Sequence, residues 1–534
     1  MNLLGALRSR LRVVILAAMS ITVAAAAEPA PSGTAATEAD VIVVGGTPGG
    51  IATAVAAARL GHSVILVEHH AHVGGMAASG LGWSDIEDRR LVQGLFREFV
   101  DRVKAHYVAT YGADSPQAKL CNDGYHYEPK VAEAVFRGML AEQPRINVLT
   151  SHSLVDATAR DGRVVAVTVR DRRSGGLRTL RGKVFADATY EGDLVAAAGA
   201  DFRLGRESRD EFDEPHAGEI YADLKGTRIG GSGRGDDRLP AYTYRLLLAE
   251  DPANRIPLTA PPAGYDRSRY LGYLETLRGG RFGNDLFNIA FTRRELPNAK
   301  VELNMKPWSL GYVFVEENVG YIPGDWAERE RIMARIRDLT LGLLWFVQTD
   351  AEVPEQTRAR TSRYGLCRDE FADTGHFPFQ LYVREGRRLV GEITLSERNV
   401  SEQPEIVSEL RHADAVAAGN YPIDSMPTSR WTCAGQVLPE GYLFMLRGIA
   451  RPYEYPYRIM IPKRVDGLIV PVPASATHVA FSAIRMEPTW MALGQAAGVA
   501  AHLAIDRDVE LRAVPIPALQ ETLRKQAAVI HLPD

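Results

Sequence analysis

The chain has 534 residues, of which 46% are hydrophobic and 24% are charged, and its formal net charge is −4. This length and composition predict a globular protein of more than one domain with a large core. The nearly balanced charge forms no basic stripe, so the sequence predicts no nucleic-acid partner and no polybasic membrane patch. Only three cysteines occur, widely separated, which excludes a disulfide framework, a C-x-x-C metal site and a redox dithiol.

The first 27 residues have the order of a secretory signal. Three arginines precede an apolar run that is too short to span a bilayer comfortably, and small residues follow it. The pattern predicts a signal peptide over 1–27 with cleavage before Glu28, and a periplasmic or secreted protein with no stable membrane span after cleavage. An uncleaved anchor is the alternative. Residues 28–38 show no periodic apolar pattern and are interpreted as a flexible leader.

Residues 39 to 68 predict a strand, a glycine-rich turn, a helix and a second strand in immediate succession. The run Val41–Val44 is apolar without polar alternation, which is typical of a parallel strand buried on both faces. In the frame G-x-G-x-x-G the chain has Gly45 and Gly50 at the outer positions and Thr47 in the middle. The glycines permit a tight turn and close helix packing, whereas Thr47 leaves less room beside a pyrophosphate.

The first turn of the predicted helix is an anion site. Pro48 has the fixed φ that suits a first turn, and Gly49 and Gly50 follow it. Free N–H groups and the positive end of the helix dipole would hold a pyrophosphate there. The second strand, from Ser63 to Val67, ends at Glu68, about 20 residues after the turn, where such folds bond a ribose hydroxyl. These features favour nucleotide binding over a purely structural unit.

A long loop, HHAHVGGMAASGLGWSD, follows the second strand. Its histidines lack companion ligands at metal-binding spacing, so the sequence predicts no metal site. The loop resembles that of FAD-dependent oxidoreductases of the glutathione-reductase type, specifically a bacterial family with an E-x-x-x-H-x-GGM-x-x-SGLGW segment after the dinucleotide turn. The resemblance implies FAD as the cofactor, with the backbone N–H groups of Gly74, Gly75 and Met76 alongside the flavin.

A β-meander is predicted over residues 147–183, because two hairpin turn signals separate alternating segments there. Val184–Ala186 then form a buried strand that returns the chain to the nucleotide domain. Flavoproteins that this chain resembles carry D-A-T-G-x-G-D at this point, and the chain matches it at Asp187, Thr189 and Asp193. The resemblance implies a second cofactor contact near the adenosine.

Residues 206–450 are predicted to form the substrate side, with a long helix near Asp325–Gln348 that buries an apolar stripe. In the segment FPFQLYVREGRRLVGE, clustered arginines either bind an acidic substrate or pair with Glu385 and Glu392 on a helix face, and the second interpretation is favoured. A proline-bounded loop, NYPIDSMP, is of the kind that carries function on a rigid scaffold. The residues noted in these two segments are Tyr382, Arg384, Arg387, Arg388, Tyr421, Asp424 and Ser425.

Residues 451–505 are predicted to close the cofactor site. Leu468–Val472 form a buried strand, a loop follows, and a helix with small residues three or four apart begins after Pro488. In the resembling family this helix starts beneath the flavin pyrimidine ring, after the segments S-A-T-H and S-x-x-R-x-x-P. The chain matches these segments at Ser475, His478, Ser482, Arg485 and Pro488.

Two of these matches are the catalytic candidates. Arg485, together with the helix N-terminus, would stabilise the negative charge of a reduced flavin. His478 is the candidate for proton transfer, because the unperturbed pKa of histidine lies near neutral pH. The alternatives are that Arg485 pairs with Glu487 and that His478 is a satisfied loop residue. The other matched residues are candidates for cofactor binding.

The whole sequence predicts an α/β protein, with a Rossmann-type FAD-binding domain, an inserted antiparallel β-meander and a mixed α+β substrate domain. The FAD-binding domain is assigned to 39–205 and 451–505, the substrate region to 206–450 and a C-terminal tail to 506–534. The expected function is hydride transfer between FAD and a small organic substrate, either a hydroxylated metabolite or sugar or an enoate, with an unidentified redox partner. An NAD(P)-dependent dehydrogenase and a non-catalytic binding protein on a flavoprotein scaffold are the alternatives.

Overall fold

The structure, a computed structural model, describes residues 37–433 and 438–533. The predicted signal peptide and residues 28–36 of the predicted leader therefore lie outside the described residues. Among the described residues, no helix combines the length and apolar character that a bilayer crossing requires.

Strands and helices alternate at the start of the chain, as an α/β protein requires. The strands are β1 (Val41–Val44), β2 (Val64–Val67), β3 (Ile146–Leu149), β4 (His152–Arg160), β5 (Arg163–Asp171), β6 (Leu177–Arg181), β7 (Val184–Asp187), β8 (Phe202–Arg203), β9 (Tyr221–Ala222), β10 (Arg228–Gly230), β11 (Leu246–Ala249), β12 (Arg255–Ile256), β13 (Phe291–Leu296), β14 (Lys300–Met305), β15 (Gly365–Cys367), β16 (Arg388–Leu389), β17 (Ala415–Gly419), β18 (Tyr453–Pro456) and β19 (Leu468–Ile469). The α-helices are α1 (Pro48–Arg59), α2 (Leu95–Tyr111), α3 (Pro116–Leu120), α4 (Pro129–Ala141), α5 (Asp193–Ala197), α6 (Arg209–Phe212), α7 (Leu271–Arg278), α8 (Leu286–Ala290), α9 (Trp326–Thr349), α10 (Glu355–Thr361), α11 (His478–Ile484), α12 (Glu487–Arg507) and α13 (Ile516–Lys525).

The nucleotide-binding part is built on a parallel sheet with the strand order β19-β7-β1-β2-β3. The central strand β1 is fully buried, as its apolar run predicted. Strand β19 is shorter than the predicted Leu468–Val472, because Pro471 and Pro473 cannot donate the hydrogen bonds that would extend it. Strand β3 was assigned to the meander, but it pairs in parallel with β2 and completes this sheet.

Helix α12 lies directly against α1, and small residues make this possible. A Cβ atom added at Gly494 would overlap the carbonyl oxygen of Gly49, so the two backbones approach too closely for any other residue. This contact sets the start of α12 beside the turn between β1 and α1. The predicted spacing of small residues in this helix therefore has a direct packing role.

The remaining sheets are antiparallel. Strands β4, β5 and β6 form the meander, and the largest sheet of the substrate region has the order β12-β15-β11-β14-β13. The predicted class, a Rossmann-type α/β fold with an inserted antiparallel meander and a mixed α+β region, is confirmed. The long predicted helix is also present as α9.

Two local predictions were wrong. The segment 377–392 contains only the short strand β16 and no helix, so Glu385 and Glu392 share no helix face. The predicted loop before α12 contains helix α11, which begins because the Thr477 side chain accepts a hydrogen bond from the backbone N–H of Ala480. A threonine three residues before a free N–H is a common helix start, and this signal was available in the sequence.

Candidate active site

The turn between β1 and α1 is packed against the end of β7. Gly45 has φ +104°, and a Cβ atom there would lie 2.5 Å from the backbone of Ala188. A Cβ at Gly50 would overlap the carbonyl oxygen of Gly45. Thr47 is the N-cap of α1: its hydroxyl accepts from the N–H of Gly50 at 3.2 Å and donates to Ala188 O at 2.9 Å. The threonine therefore fixes the turn, which sequence spacing alone did not indicate.

A cleft lies beside this turn. The predicted residues that line it come from three separate segments and are Gly45, Thr47, Glu68, Thr189 and Asp193. The cleft measures about 40 Å³, which is smaller than a nucleoside. The rings of His69 and Trp326 stack at its edge with centroids 3.3 Å apart, so entry of an adenosine requires side chains to move.

Carboxylates hold the strand ends around the cleft. Glu68 accepts hydrogen bonds from the N–H groups of Gly46 at 2.6 Å and His70 at 2.7 Å, and burial raises the pKa of Glu68 to about 7. Asp187 accepts from the N–H groups of Thr189 at 2.9 Å and of Val195 at 2.7 Å, and burial raises the pKa of Asp187 to about 6. These backbone bonds give both residues a structural role beside the predicted cofactor contact.

Asp193 forms ion pairs on the substrate side of the cleft. Its carboxylate lies 2.6 Å from Arg329 and 2.9 Å from Arg387. Arg387, one of the arginines noted in the segment 377–392, is therefore neutralised by the carboxylate of Asp193. Both pairs connect the cleft to the substrate region.

Hydrogen bonds tie the predicted flavin segment to the turn and to α12. Gly74 donates its N–H to Gly46 O at 2.7 Å. The N–H of Met76 donates to the hydroxyl of Tyr190 at 3.0 Å, and this hydroxyl donates to Glu487 at 2.6 Å. Burial raises the pKa of Glu487 to about 8, so its carboxyl is largely protonated at neutral pH.

Buried polar atoms without partners mark both ends of this arrangement. Among the described residues, no hydrogen-bond partner is present for Nε2 of His152, which lines the cleft. The same holds, within residues 37–433 and 438–533, for Oε2 of Glu487 and Nε1 of Trp490, both in the first turn of α12. Buried polar atoms are normally satisfied, so these are available to a polar ligand. The residues present fit FAD, whose ribose, phosphate and flavin groups offer such partners.

Several predicted residues lie elsewhere in the core. Ser475 shares a hydrogen bond with the hydroxyl of Thr394 at 3.0 Å. Ser482 donates to Val479 O at 2.7 Å and accepts from the N–H of Asp424 at 3.2 Å. Neither serine lines the cleft, so their predicted cofactor contacts stay predictions. Pro488 occupies the first turn of α12, as its fixed φ predicts.

His478 belongs to a buried ionic group that we call the core cluster, formed by Glu207, Glu385, Arg388 and His478. Arg388 lies 3.0 Å from both Glu207 and Glu385. The Nδ1 atom of His478 lies 2.7 Å from Glu385, its backbone N–H donates to Glu207 at 2.8 Å, and its Nε2 lies 3.3 Å from Ser425 Oγ. Every polar group of His478 is thus engaged, and its proposed role in proton transfer stays a prediction.

The structure also contains a large cavity of about 460 Å³. Its charged lining residues are Asp85, Glu87, Arg245, Arg294, Lys306, Arg384, Asp424, Arg447 and Arg485. Its aromatic lining residues are Trp83, Trp308, Tyr382, Tyr421, Tyr442 and Phe444. The volume and the aromatic walls are typical of a small-molecule site, and the number of charged lining residues is unusually high for one.

Arg485 lies in the wall of this cavity. It donates hydrogen bonds to the hydroxyl of Tyr382 and to Asp424 O, both at 2.7 Å, and lies 3.3 Å from the Asp424 carboxylate. Its partner is therefore Asp424 and not Glu487, the partner that the alternative interpretation assigned. Burial raises the pKa of Asp424 above its ordinary value, although the charges of Arg485 and Arg384 oppose this shift.

The cavity borders the segment that the resemblance places beside the flavin. A Cβ atom at Gly80 would overlap the carbonyl oxygen of Arg245, so this loop lies directly on the cavity wall. Trp83 and Asp85 follow in the same loop and line the cavity. The residues that the resemblance places beside the flavin and the residues that line the cavity therefore lie on one continuous piece of chain.

Sequence reasoning did not identify several cavity residues. Arg245 pairs with Glu302 and lies 3.6 Å from Asp85, which also lies 3.2 Å from Arg294. These residues come from distant segments and share no local motif. A possible signal was the arginine directly before the apolar run LLLA, because a charge beside a buried strand requires a specific partner.

The parallel sheet and the glycine turn define a dinucleotide-binding fold, and a separate cavity lies beside it. Residues 40–523 match the family model described as FAD dependent oxidoreductase, and the chain belongs to this family. FAD is the cofactor. No protein with a curated description matches the chain.

Solved structures similar to this chain are distant. L-proline dehydrogenase from P. horikoshii has 15% identity and a TM-score of 0.19, over 32% of this chain and 25% of that one. The myxobacterial chondrochloren halogenase CndH has 14% identity and a TM-score of 0.28, over 60% and 63%. Glycerol-3-phosphate dehydrogenase from Bacillus halodurans, complexed with FAD, has 14% identity and a TM-score of 0.23, over 36% and 45%. This chain spans less than two-thirds of each of these structures.

Proposed function

We propose that the protein transfers a hydride between FAD and a small organic substrate bound in the cavity. This proposal rests on two elements that line the cavity. One is the loop that follows the predicted flavin segment, and the other is Arg485, which lies two residues before α12. A substrate there would lie next to the elements expected to hold the flavin. The proposed substrate is a hydroxylated metabolite or sugar, or an enoate.

Bound FAD supplies a two-electron acceptor or donor for such a reaction. The proton that accompanies the hydride needs a separate group in the cavity. We assign this role to Asp424, because it lines the cavity, its pKa is raised by burial and its side chain is 21% accessible. In alcohol oxidation the carboxylate would accept the hydroxyl proton, and in enoate reduction the carboxylic acid would donate one.

Arg485 would compensate the negative charge that a hydride leaves on the flavin, as its cationic side chain near the start of α12 suggests. Arg485→Met is expected to lower the reduction potential of the bound flavin, which spectroelectrochemistry would measure. His478 is proposed to position the cavity wall without lining the cavity. It contacts Ser425, which lies between the cavity-lining residues Asp424 and Met426. The cofactor-binding role of the cleft residues belongs to the same proposal.

The direct test is anaerobic bleaching of the bound flavin. Purified or reconstituted protein should be yellow, with absorbance near 450 nm, and a substrate from a panel of hydroxylated metabolites and sugars should bleach it. Enoates should reoxidise flavin that has been reduced beforehand. A colourless protein that uses NAD(P) instead would contradict the proposal. A yellow protein that no compound reduces or reoxidises would favour the non-catalytic alternative.

We also propose that the protein acts in the periplasm or outside the cell. The support is the basic, apolar and small-residue order of residues 1–27. N-terminal sequencing of the protein purified from its own cells should find Glu28 or a neighbour at the start. An intact Met1 in a cytosolic fraction would contradict this assignment.

A further inference from the structure

Three buried guanidinium groups surround one aromatic ring in the cavity. The Cζ atoms of Arg384, Arg245 and Arg485 lie 4.2, 5.2 and 5.6 Å from the ring centroid of Tyr382. All three arginines are at least 96% buried and line the cavity. Like charges packed this closely in a poorly solvated site repel one another unless negative charge compensates them.

Two of the three arginines have their compensation within the protein. Arg245 pairs with Glu302 and lies 3.6 Å from Asp85. Arg485 lies 3.3 Å from the carboxylate of Asp424. Within residues 37–433 and 438–533, each of these two cations therefore has a carboxylate beside it.

Arg384 has no such partner. Among the described residues, no carboxylate lies within 4.0 Å of its guanidinium, and its hydrogen bonds go to Ala241 O at 2.8 Å and Thr243 Oγ1 at 3.0 Å, both neutral acceptors. Burial, opposed only weakly by its surroundings, lowers the pKa of Arg384 to about 10. These bonds use two of the five N–H donors of the arginine, so three donors are available to a ligand.

We propose that the substrate of the cavity carries a carboxylate and that Arg384 binds this group. This inference rests on the proposed function, since it names the substrate class of the same site. A carboxylate fits better than a phosphate, because one uncompensated guanidinium matches a single negative charge and its planar fork matches a planar acceptor. Lys306 also lacks a carboxylate partner in the described part of the chain, but it is half-buried, and water can compensate it.

The aromatic walls describe the rest of the substrate. Trp83, Trp308, Tyr442 and Phe444 line the same cavity and offer flat surfaces for a ring. The volume of about 460 Å³ admits a molecule the size of an aromatic acid or a uronic acid. The substrate class is therefore a small, ring-containing carboxylate.

The test measures binding of paired probes to the FAD-loaded protein by calorimetry and by flavin difference spectra. The pairs are benzoate with benzamide and D-glucuronate with D-glucose, and inorganic phosphate is a separate probe. We expect at least one carboxylate to bind at least 10-fold more tightly than its neutral partner. Arg384→Met should weaken that probe at least 10-fold, and Arg384→Lys should weaken it less because the charge is retained.

The matched control is Arg447→Met. Arg447 also lines the cavity, but its side chain is 59% exposed and pairs with Glu87 at 2.7 Å, so its loss should change binding less than 3-fold. FAD content and thermal stability establish that each variant is folded, and the wild-type probe pairs remain decisive if Arg384→Met does not fold. Carboxylates that fail to bind, equal binding by Arg384→Met, or binding of phosphate alone would each overturn the inference.

The two proposals can fail separately. If carboxylates bind through Arg384 but no compound reduces or reoxidises the flavin, the carboxylate site stands and the proposed hydride transfer falls. If a neutral compound reduces the flavin equally well in wild type and Arg384→Met, hydride transfer stands and the carboxylate assignment is wrong.

Discussion

Arg384 and Arg388 lie four positions apart on one segment and are both almost completely buried, but their electrostatic surroundings are opposite. Arg388 contacts two carboxylates of the core cluster, Glu207 and Glu385, each at 3.0 Å. In the described part of the chain, Arg384 contacts only neutral acceptors and lines the cavity. The same residue type therefore forms ion pairs on one side of the segment, whereas on the other side it has no carboxylate within 4.0 Å among the described residues.

This difference separates structural from functional charge. A fold that buries a cation for its own stability places an anion beside it, because a lone buried charge costs several kcal/mol. A charge that is buried without a partner weakens the folded state and is retained when a ligand uses it. The core cluster meets the first description and the cavity around Arg384 meets the second.

The largest expected effect is on the rate of flavin reduction, and it tests whether the proton-transfer group is Asp424 in the cavity or His478 in the core cluster. Asp424→Asn should slow flavin reduction about 10²- to 10⁴-fold, the usual contribution of a general acid or base. His478→Gln, on the core side, should slow it less than 10-fold, since His478 does not line the cavity. Single-turnover anaerobic kinetics with a substrate found in the flavin screen would measure both. A larger loss in His478→Gln would return proton transfer to the core cluster.

The next effect is on the free energy of unfolding, and it tests whether the core cluster stabilises the fold. Arg388→Met leaves Glu207 and Glu385 buried without their cation, so the free energy of unfolding should fall by about 3–5 kcal/mol. Urea unfolding of the FAD-loaded protein, followed by tryptophan fluorescence, would measure it. Arg451→Met is the control, because Arg451 pairs with Glu402 at an exposed position and its loss should change little. A loss in Arg388→Met no greater than in the control would show that the core cluster is not structural.

Regions of the molecule also differed in how far the sequence could predict them. The turn from Gly45 to Gly50 and the strand Val41–Val44 depend on neighbours in sequence, so local patterns predicted them correctly. The segment 377–392 was harder to predict: Arg388 pairs with Glu385 but not on a helix face, whereas Arg384 lines the cavity and the binding of an acidic substrate stays a prediction.

The partners of these arginines explain why a sequence pattern could not separate the two interpretations. Glu207 lies about 180 residues before Arg388, and its contact depends on the pairing of β8 with β16. The cavity likewise combines loops that only the tertiary fold brings together. Spacing along the chain contains no information about such contacts. A helix-cap residue such as Thr477, in contrast, is a local signal from which the start of α11 could have been predicted.

A smaller effect is the pH dependence of stability that comes from Glu214, which contacts Thr477 next to His478 of the core cluster. Glu214 accepts hydrogen bonds from the N–H of Glu397 and the hydroxyl of Thr477, each at 2.6 Å, and burial raises the pKa of Glu214 from 4.5 to about 8. The folded protein thus binds this proton more tightly than the unfolded chain does. The resulting stabilisation is complete below pH 4.5 and is lost as the pH rises through about 8.

Glu214→Gln cannot ionise, so its stability should fall less steeply between pH 5 and pH 8 than that of the wild type. The slopes should differ by up to about 1.4 kcal/mol per pH unit, the value for one proton. Urea midpoints at three pH values in this range would measure the difference. Parallel profiles would show that the core side tolerates an uncompensated carboxylate, which would remove the contrast with the cavity.

The smallest expected effect is the most informative about the comparison itself. Arg384→Met removes a buried charge that has no anion in the described structure, so the relief of its desolvation offsets the loss of hydrogen bonds to Ala241 and Thr243. The free energy of unfolding should therefore change by about 1 kcal/mol or less, against about 3–5 kcal/mol for Arg388→Met. The same urea experiment measures both variants. Adding the carboxylate probe that binds best should raise the stability of the wild type but not of Arg384→Met, because only a ligand bound to the folded state stabilises it. If Arg384→Met is as unstable as Arg388→Met, both arginines are structural, and the charge that faces the cavity has no need of a ligand.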